Sequence, residues 1–405
     1  MFVQLNTSWM KHDFLINNFK IKNEKQLAEI WRLHLDEIAY DPDKSDVEPL
    51  PLISSEPEPE LEVKVDVNEQ KRREDKLARI EKIKDRRMSL GRCENAYKSA
   101  VGSARKVMDH LLSQPAVAVE AAEEMIGGLV DKLMVDQEAT LQLVSIKGKS
   151  ENSYFHAINV SILSLMLGKY LKLNADQMRD LGVGALFHDL GHTELPSRIL
   201  RTTEPLTMPE RKLYQMHPLY GVKLAQRIGK LSKGVMEIIE QHHELIDGSG
   251  YPKQLKGAQI SQLARVVAIV NRYDNLCNSI NSEKCLSPYE AMSYMYAKQK
   301  GQFDERMLSL FITNMGVYPP GTIVRLANGS IAAVISINPK ALLLPNVIIY
   351  DPNIPWNEAP IIDLSEEQLK ITESFRRSAL PPEVLKYLNL GERVNYYIDA
   401  ESKPS

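Results

Sequence analysis

Six of the chain's nine histidines, His156, His188, His192, His217, His242 and His243, fall in one stretch of sequence. Each stands near a helix end or on a helix otherwise rich in Leu, Ile, Val and Met, so the rings are expected to turn into a shared interior. A lone histidine in such a place is ordinarily a hydrogen-bonded core residue. The pair His188-Asp189 changes that reading, because it offers an imidazole nitrogen and a carboxylate oxygen from adjacent positions after the apolar helix expected over 178–187. A carboxylate at the end of such a helix needs a cation. Two metal ions about 3.5–4 Å apart need a bridging carboxylate and terminal imidazoles, and this set can supply both. A second pair, His242-His243, ends another expected helix and runs into Glu244-Leu245-Ile246-Asp247-Gly248-Ser249-Gly250-Tyr251-Pro252. Glycines there let backbone N–H groups come close to a phosphate or a base, and the proline stiffens the exit; the same loop also reads as a tight turn in which Tyr251 simply packs.

The elements that must position these residues are mostly helices. From 151 to 316 the pattern is nearly all helical, with capping boxes at Thr207-Met208-Pro209-Glu210 and Ser287-Pro288-Tyr289-Glu290. Ahead of it, residues 1–45 read as a small α/β unit: a strand over 2–5, a helix over 23–33 capped by Asn23, and a strand over 37–40. Leu27, Ile30, Trp31 and Leu33 suit the buried face of that helix. An acidic, Pro-rich linker is expected over 46–69, and a helical connector over 70–139. The connector opens on a charged helix over 70–109 with a narrow apolar stripe at Leu77, Ile80 and Ile83, which suits a solvated or dimerising helix. Further helices are expected over 117–134 and 136–146. After a helical domain over 140–316, the run Gly316-Val317-Tyr318-Pro319-Pro320-Gly321 breaks the pattern. Strands over 323–326 and 331–337 joined by Asn328-Gly329 spell a hairpin, a third strand follows over 347–350, and 317–400 forms a short β-rich extension. The fold class is mainly α, with a small N-terminal α/β unit and C-terminal strands.

Composition narrows the functional classes. Hydrophobic residues at 43% and charged residues at 25% are ordinary globular usage. With 50 basic and 53 acidic residues the net charge is −3, which leaves no global field to condense DNA, RNA or an anionic membrane; an anionic ligand has to be held locally. The start Met1-Phe2-Val3-Gln4-Leu5 has no signal-like pattern, and the most apolar stretch, 158–167, is too short to span a bilayer. The expectation is a cytoplasmic protein without membrane insertion. Three scattered cysteines, Cys93, Cys277 and Cys285, fit a reducing compartment and suit structural thiols.

Taken in order and spacing, His156, His188-Asp189, His217, His242-His243 and the loop from Asp247 to Pro252 resemble the bacterial HD-GYP family, over roughly residues 140–316. Residues 1–45 resemble the small N-terminal domain that precedes some members, and Tyr273-Asp274-Asn275-Leu276-Cys277-Asn278 resembles one branch of the family. The resemblance implies an HD-type helical bundle holding two divalent metal ions, iron or manganese. It also implies hydrolysis of a cyclic dinucleotide, cyclic di-GMP or else cyclic GMP-AMP, through attack by a hydroxide held between the metals. Carried over by position, His156, His188, Asp189, His217, His242, His243 and Asn271 are metal ligands, with Asp189 as the bridge. Asp189 and His192 become the catalytic pair, and His192, Gly248, Ser249, Gly250, Tyr251 and Pro252 line the substrate pocket. The resemblance equally allows the loop around Tyr251 to present a surface to a partner such as a diguanylate cyclase domain, and a homodimer stays open.

Four positions depart from the family. Asn271 stands where the family has a ligand aspartate, and a neutral amide binds a second metal more weakly. Asp274, three residues on and on the same helix face, either lends the missing carboxylate or pairs within the bundle. His192 replaces a lysine, Asn152 replaces a glutamate that supports a third metal, and Ile280-Asn281-Ser282-Glu283 replaces an Arg-Pro-Tyr-Arg run suited to phosphate. Two other readings therefore stand beside the hydrolase: a degenerate HD-GYP module that binds a cyclic dinucleotide or a partner without turnover, and an HD hydrolase of another phosphate ester.

Overall fold

The computed structural model describes residues 1–5, 7, 14, 18–35, 37–47, 67–135, 140–144, 152–356, 359–390 and 393–399. At the N-terminus β1 (Phe2–Gln4) lies between β2 (Asn18–Lys20) and β3 (Ala39–Asp41), antiparallel to both. Helix α1 (Glu24–Arg32) starts at Asn23, whose side chain accepts from the Gln26 N–H as expected of an N-cap. Val3, Leu5, Phe14 and Ile30 make a separate small core. The expected apolar face of α1 is only partly buried: Leu27 is 44% and Trp31 71% exposed. Three short strands offer too little area to cover a whole helix stripe. Most of the linker expected over 46–69, from 48 to 66, lies outside the described residues.

The helical part begins with α2 (Val67–His110) and α3 (Pro115–Val135), packed against one another. The side chains of the stripe expected at Leu77, Ile80 and Ile83 lie outside the described residues. Next come α4 (Asn152–Tyr170), α5 (Ala175–Phe187), α6 (Ser197–Arg201), α7 (Met208–Tyr214), α8 (His217–Ile228), α9 (Lys233–Gln241), α10 (Gln262–Cys277), α11 (Pro288–Gln299) and α12 (Glu305–Met315). Helix α5 is the centre of this assembly. Met178, Leu181, Val183, Ala185, Leu186 and Phe187 are all buried, between α4 and α9. The second half of α5, residues 181–187, is apolar and buried on every side, as suits a helix end inside a domain, while Asp176 and Arg179 keep the first turn of the helix in solvent. Asn174 and Gln177 close its first turn as a reciprocal capping box. The boxes expected at Thr207/Glu210 and Ser287/Glu290 are likewise present, starting α7 and α11.

Strands β5 (Ile323–Leu326) and β6 (Ile331–Ser336) form the expected hairpin about Asn328-Gly329, with Gly329 at φ 85°. They are followed by β7 (Asn346–Ile349), β8 (Ile361–Asp363), α13 (Leu364–Glu367), β9 (Ile371–Phe375), α14 (Pro382–Tyr387) and β10 (Asn395–Asp399). The helix expected over 136–146 is not formed: Thr140–Val144 is a strand, β4, paired antiparallel with β10 along its length and with β6 at Gln142–Ser336. Leu141, Leu143 and Val144 are buried there. Partners from the far end of the chain decided this conformation, which local propensity could not register. Among the described residues the sheet runs β10-β4-β6-β5-β9, with β7 on β6 and β8 on β7. No helix of the described residues is long and apolar enough to cross a membrane, and the three cysteines are free thiols.

One close approach fixes the helices around the centre. A Cβ on Gly191, in the tight turn Leu190–Glu194, would sit 1.9 Å from the His217 carbonyl oxygen and 2.6 Å from the Gly221 nitrogen. Only glycine lets that turn lie on the first turn of α8. Gly191→Ala is therefore expected to cost about 1–3 kcal/mol or more of stability. Gly127→Ala, on α3 with nothing within 4 Å of the new methyl, should instead stabilise by about 0.5–1 kcal/mol. Urea melts of the two variants beside the wild type check both signs.

Candidate metal centre

Three helix ends and one helix face deliver the histidines. His188 is the C-cap of α5 and His242 the C-cap of α9; His217 opens α8 directly after α7, and His156 faces inward from α4. The last carbonyls of a helix have no partner within it. Here the rings provide one: Nδ1 of His188 donates to the Ala185 oxygen at 2.7 Å, Nδ1 of His217 to the Tyr214 oxygen at 2.8 Å, and Nδ1 of His242 to the Ile239 oxygen at 2.9 Å. His156 donates from Nδ1 to Asp274 Oδ2 at 2.6 Å. A carbonyl or carboxylate can only accept, so in the neutral form of each ring the proton sits on Nδ1 and Nε2 carries a lone pair.

Those lone pairs face each other. His156 Nε2 lies 3.2 Å from His188 Nε2, and His217 Nε2 lies 3.1 Å from His242 Nε2. Neither nitrogen of a pair has a hydrogen to give the other. Two imidazole nitrogens bound side by side to one cation at about 2.1 Å would be about 3 Å apart, which is the separation found. Asp189 lies between the pairs and divides its oxygens. Oδ1 is 3.4 Å from His217 Nε2 and 3.6 Å from His242 Nε2, while Oδ2 is 3.4 Å from His188 Nε2 and 3.7 Å from His156 Nε2. Asp189 with His217, His242 and His243 makes one group whose ligand atoms lie within 4.8 Å of each other; Asp189 with His156 and His188 makes a second. Asp189 Oδ1, His243 Nε2 and His192 Nε2 are buried without a hydrogen-bond partner. The donor set, its geometry and its orphaned atoms fit two divalent ions sharing one carboxylate.

The charge states agree with that use. Burial pushes His217 down to about 2 and lowers His192, His242 and His243 as well, so these rings are neutral at ordinary pH. Burial works against a charge on Asp189 too, but His188 and His192 beside it hold the carboxyl well below the usual range. For His188 burial is again opposed, and the Asp189 charge raises its pKa. An anionic carboxylate beside the neutral rings of His192, His217, His242 and His243 is a metal-ready arrangement.

His192 reaches the same point from the turn after α5: its Nδ1 is 3.5 Å from Asp189 Oδ2 and its ring centre 4.3 Å from that of His217. Beside His242 and His243 opens a cavity of about 500 Å³, lined also by Ser249, Gly250, Tyr251 and Asn271. Tyr251 stacks on His243 with ring centres 4.6 Å apart. Gly250 allows the loop to fold back, since a Cβ there would meet the Leu245 nitrogen at 2.4 Å. Gly248, at φ 82°, and Pro252 shape the loop but do not line the cavity. Asn271 is buried with its Oδ1 accepting from Asn275 Nδ2 at 2.6 Å. Asp274 stands behind His156 and belongs to neither metal group. Ile280 is exposed beyond the end of α10, and the side chain of Asn152 lies outside the described residues.

One functional residue had no role in the sequence reading. Glu244 is buried, and its two oxygens accept from the Lys253 N–H at 2.6 Å and the Leu255 N–H at 2.9 Å, which pins the loop exit under the site. Its signal was a carboxylate next to His243 with no cation nearby in sequence.

The chain is similar in sequence to several known proteins. Residues 133–307 match the HD domain family model, and residues 1–122 match a domain of unknown function, DUF3391. A cyclic di-GMP phosphodiesterase of Pseudomonas aeruginosa is 32% identical over 58% of this chain and 56% of its own length. A cyclic di-GMP phosphodiesterase of Borreliella burgdorferi is 27% identical over 52% of this chain and 54% of its own. A 3'3'-cGAMP-specific phosphodiesterase of Vibrio cholerae is 29% identical over 44% and 42%. The alignments thus span about half the length of these curated relatives.

The buried neutral rings set how the metal-free protein responds to acid. His217 is neutral above about pH 6.5 in both the folded and the unfolded chain. Below that, the unfolded chain takes a proton that the folded one refuses down to about 2. Stability should therefore fall as pH drops, by about 1.4 kcal/mol per pH unit for each such ring. Urea melts between about pH 7.5 and about pH 5.5 check this, and His217→Gln should remove about one proton from the slope.

Proposed function

We propose that this chain, an HD-domain protein of the HD-GYP family carrying an N-terminal DUF3391 domain, is a two-metal phosphodiesterase that opens a cyclic dinucleotide, cyclic di-GMP foremost. The observation that carries the reading is the carboxylate of Asp189, one oxygen toward each of two imidazole pairs whose lone pairs converge. His156, His188 and Asp189 Oδ2 would hold one ion, and His217, His242, His243 and Asp189 Oδ1 the other, with Asn271 beside the latter. Iron or manganese suits this mixture of imidazole and carboxylate. Bound ions would supply Lewis acidity, making water a nucleophile at neutral pH and neutralising charge on the phosphate oxygens.

The remaining work belongs to side chains of the cavity. Arg211 and Arg272 bring positive charge to its wall, and Asn275, Gln299 and Gln302 bring amides that match the edges of a base. Arg272 is braced by its Nε donating to Gln299 Oε1 at 2.9 Å. His192 does not line this cavity; its ring lies beside Asp189, with Nδ1 3.5 Å from Oδ2, where it would act on the carboxylate rather than on the substrate. Tyr251, on His243, closes the wall against water. The names of the relatives support cyclic di-GMP as substrate, with cyclic GMP-AMP the nearest competitor.

A second reading, binding without turnover, is favoured by one observation: the Asn271 oxygen is neutral and already engaged by Asn275. Metal analysis coupled to a cyclic di-GMP hydrolysis assay, after anaerobic loading with manganese or iron, separates the two. Asp189→Ala should lose both ions and lower turnover by more than about a hundredfold; stoichiometric metal in that variant would show that Asp189 is no bridge. Asn271→Asp adds a full negative charge at nearly constant size, so it should tighten the neighbouring ion and raise hydrolysis. Tighter metal with no turnover would favour the binding module.

A further inference from the structure

Behind His156 lies a buried polar network, and the segment leading into β10 takes part in it. Asp274 is fully buried on α10. Its Oδ2 accepts from His156 Nδ1 at 2.6 Å, and its Oδ1 accepts from Asn159 Nδ2 at 2.9 Å and from Asn278 Nδ2 at 2.8 Å. Arg393 places a guanidinium nitrogen 3.7 Å from Oδ2. Arg393 and Val394 immediately precede β10, and the backbone of Val394 is held in both directions. Its N–H donates to Asn278 Oδ1 at 2.8 Å, and its oxygen accepts from Asn278 Nδ2 at 2.9 Å and Asn159 Nδ2 at 3.0 Å. One residue on, Asn395 Oδ1 accepts from Tyr97 Oη of α2 at 3.1 Å. No comparable carboxylate stands behind His188, His217 or His242, whose Nδ1 protons go to helix carbonyls of their own segments.

We infer that Asp274 is the positioning residue for His156, and that the segment leading into β10, through Arg393 and Val394, holds Asp274 in place, so that the C-terminal sheet governs one half of the metal centre and not the other. This rests on the two-ion reading above. The physical ground is asymmetry. Three ligand rings are oriented by local backbone, which the fold of a single helix end guarantees. The fourth is oriented by a buried carboxylate that needs its own donors, and those come from α4, α10 and the β10 approach, more than a hundred residues apart in sequence. A carboxylate behind a ligand histidine fixes the ring and raises its basicity, and losing it ordinarily weakens metal about 10- to 100-fold.

The test is manganese titration of the full chain by calorimetry, in a cycle of variants. Asp274→Asn should weaken one of the two ions by about 10- to 100-fold and leave the other within about twofold. In a His243→Gln background it should produce the same loss in the ion that remains; in a His156→Gln background it should change binding by less than about twofold. Arg393→Gln, which leaves the carboxylate in place and so guards against misfolding of the first variant, should show the same pattern with a smaller loss. Equal weakening of both ions in every background, or none in any, overturns the inference. Nitrogen NMR of the metal-free protein gives a second readout. The His156 Nδ1 signal should move in both variants while those of His188, His217 and His242 stay. If the wild type takes up no manganese yet the His156 signal follows Asp274 and Arg393, the two-ion reading falls and the positioning role stands. If that signal ignores both variants, the positioning role falls.

Discussion

The structure turns on a carboxylate that cannot be left alone. Asp189 Oδ1 is buried with no hydrogen-bond donor in reach, and four imidazole nitrogens aim lone pairs at the two sides of its carboxyl group. Burial works against the charge on that carboxylate, and the imidazoles beside it, His188 first, are what keep it ionised. Lone pair against lone pair adds repulsion where a hydrogen bond would otherwise relieve it. The surrounding helices bring these atoms together all the same, and the close packing of Gly191 on His217 helps to hold them there.

How the rings are aimed explains why helix ends were used. A helix terminus has unpaired carbonyls and needs donors; a metal-ligand histidine has a second nitrogen and needs an acceptor. At Ala185, Tyr214 and Ile239 one hydrogen bond answers both needs, ending or bracing the helix and fixing the tautomer together. The histidine cluster is thus built at the seam where α5, α7 and α9 stop, and the cavity opens at the same seam because the chain has to leave each helix there. His156 is the exception. It projects from the middle of α4, where backbone carbonyls are already paired, and so it needs a side-chain acceptor, Asp274.

That division also marks what the sequence could reveal. The histidines and Asp189 were legible because imidazoles and a carboxylate inside apolar helices contradict local composition, and contradictions of that kind point to a site. Capping boxes and the Asn-Gly hairpin were legible because their chemistry is contained in four residues. Strand β4 was not, since its conformation is imposed by β10 and β6, which lie far along the chain. Trp31 reads as apolar and stays in solvent because nothing large enough folds over α1. Glu244 and Asp274 were present in the motif-bearing stretches, yet their partners, the backbone of 253–255 in one case and His156 with Asn159 in the other, are set by the way loops and helices return in space.

The same long-range pairing bears on where the helical domain ends. A cut after α12 would look natural from the change of periodicity at Gly316, but the main core of the helical bundle includes Val394, Tyr396, Tyr397 and Ile398 alongside Ile158, Leu163 and Phe187. Tyr396 shares a hydrogen bond with Tyr273 between their hydroxyl groups at 2.7 Å, both rings being wholly buried. Removing the chain from Arg393 onward would take away the Tyr396 partner of the Tyr273 hydroxyl, the Val394 carbonyl that accepts from the Asn159 and Asn278 amides, and the Arg393 guanidinium beside Asp274, each at about 1–3 kcal/mol in the interior. A domain of this size is stable by only about 5–15 kcal/mol. Two or three such losses are comparable with the whole margin, so the segment from Arg393 through β10 is a structural part of the helical bundle, and the fold closes only when that strand returns to the helices that carry His156 and Asp274.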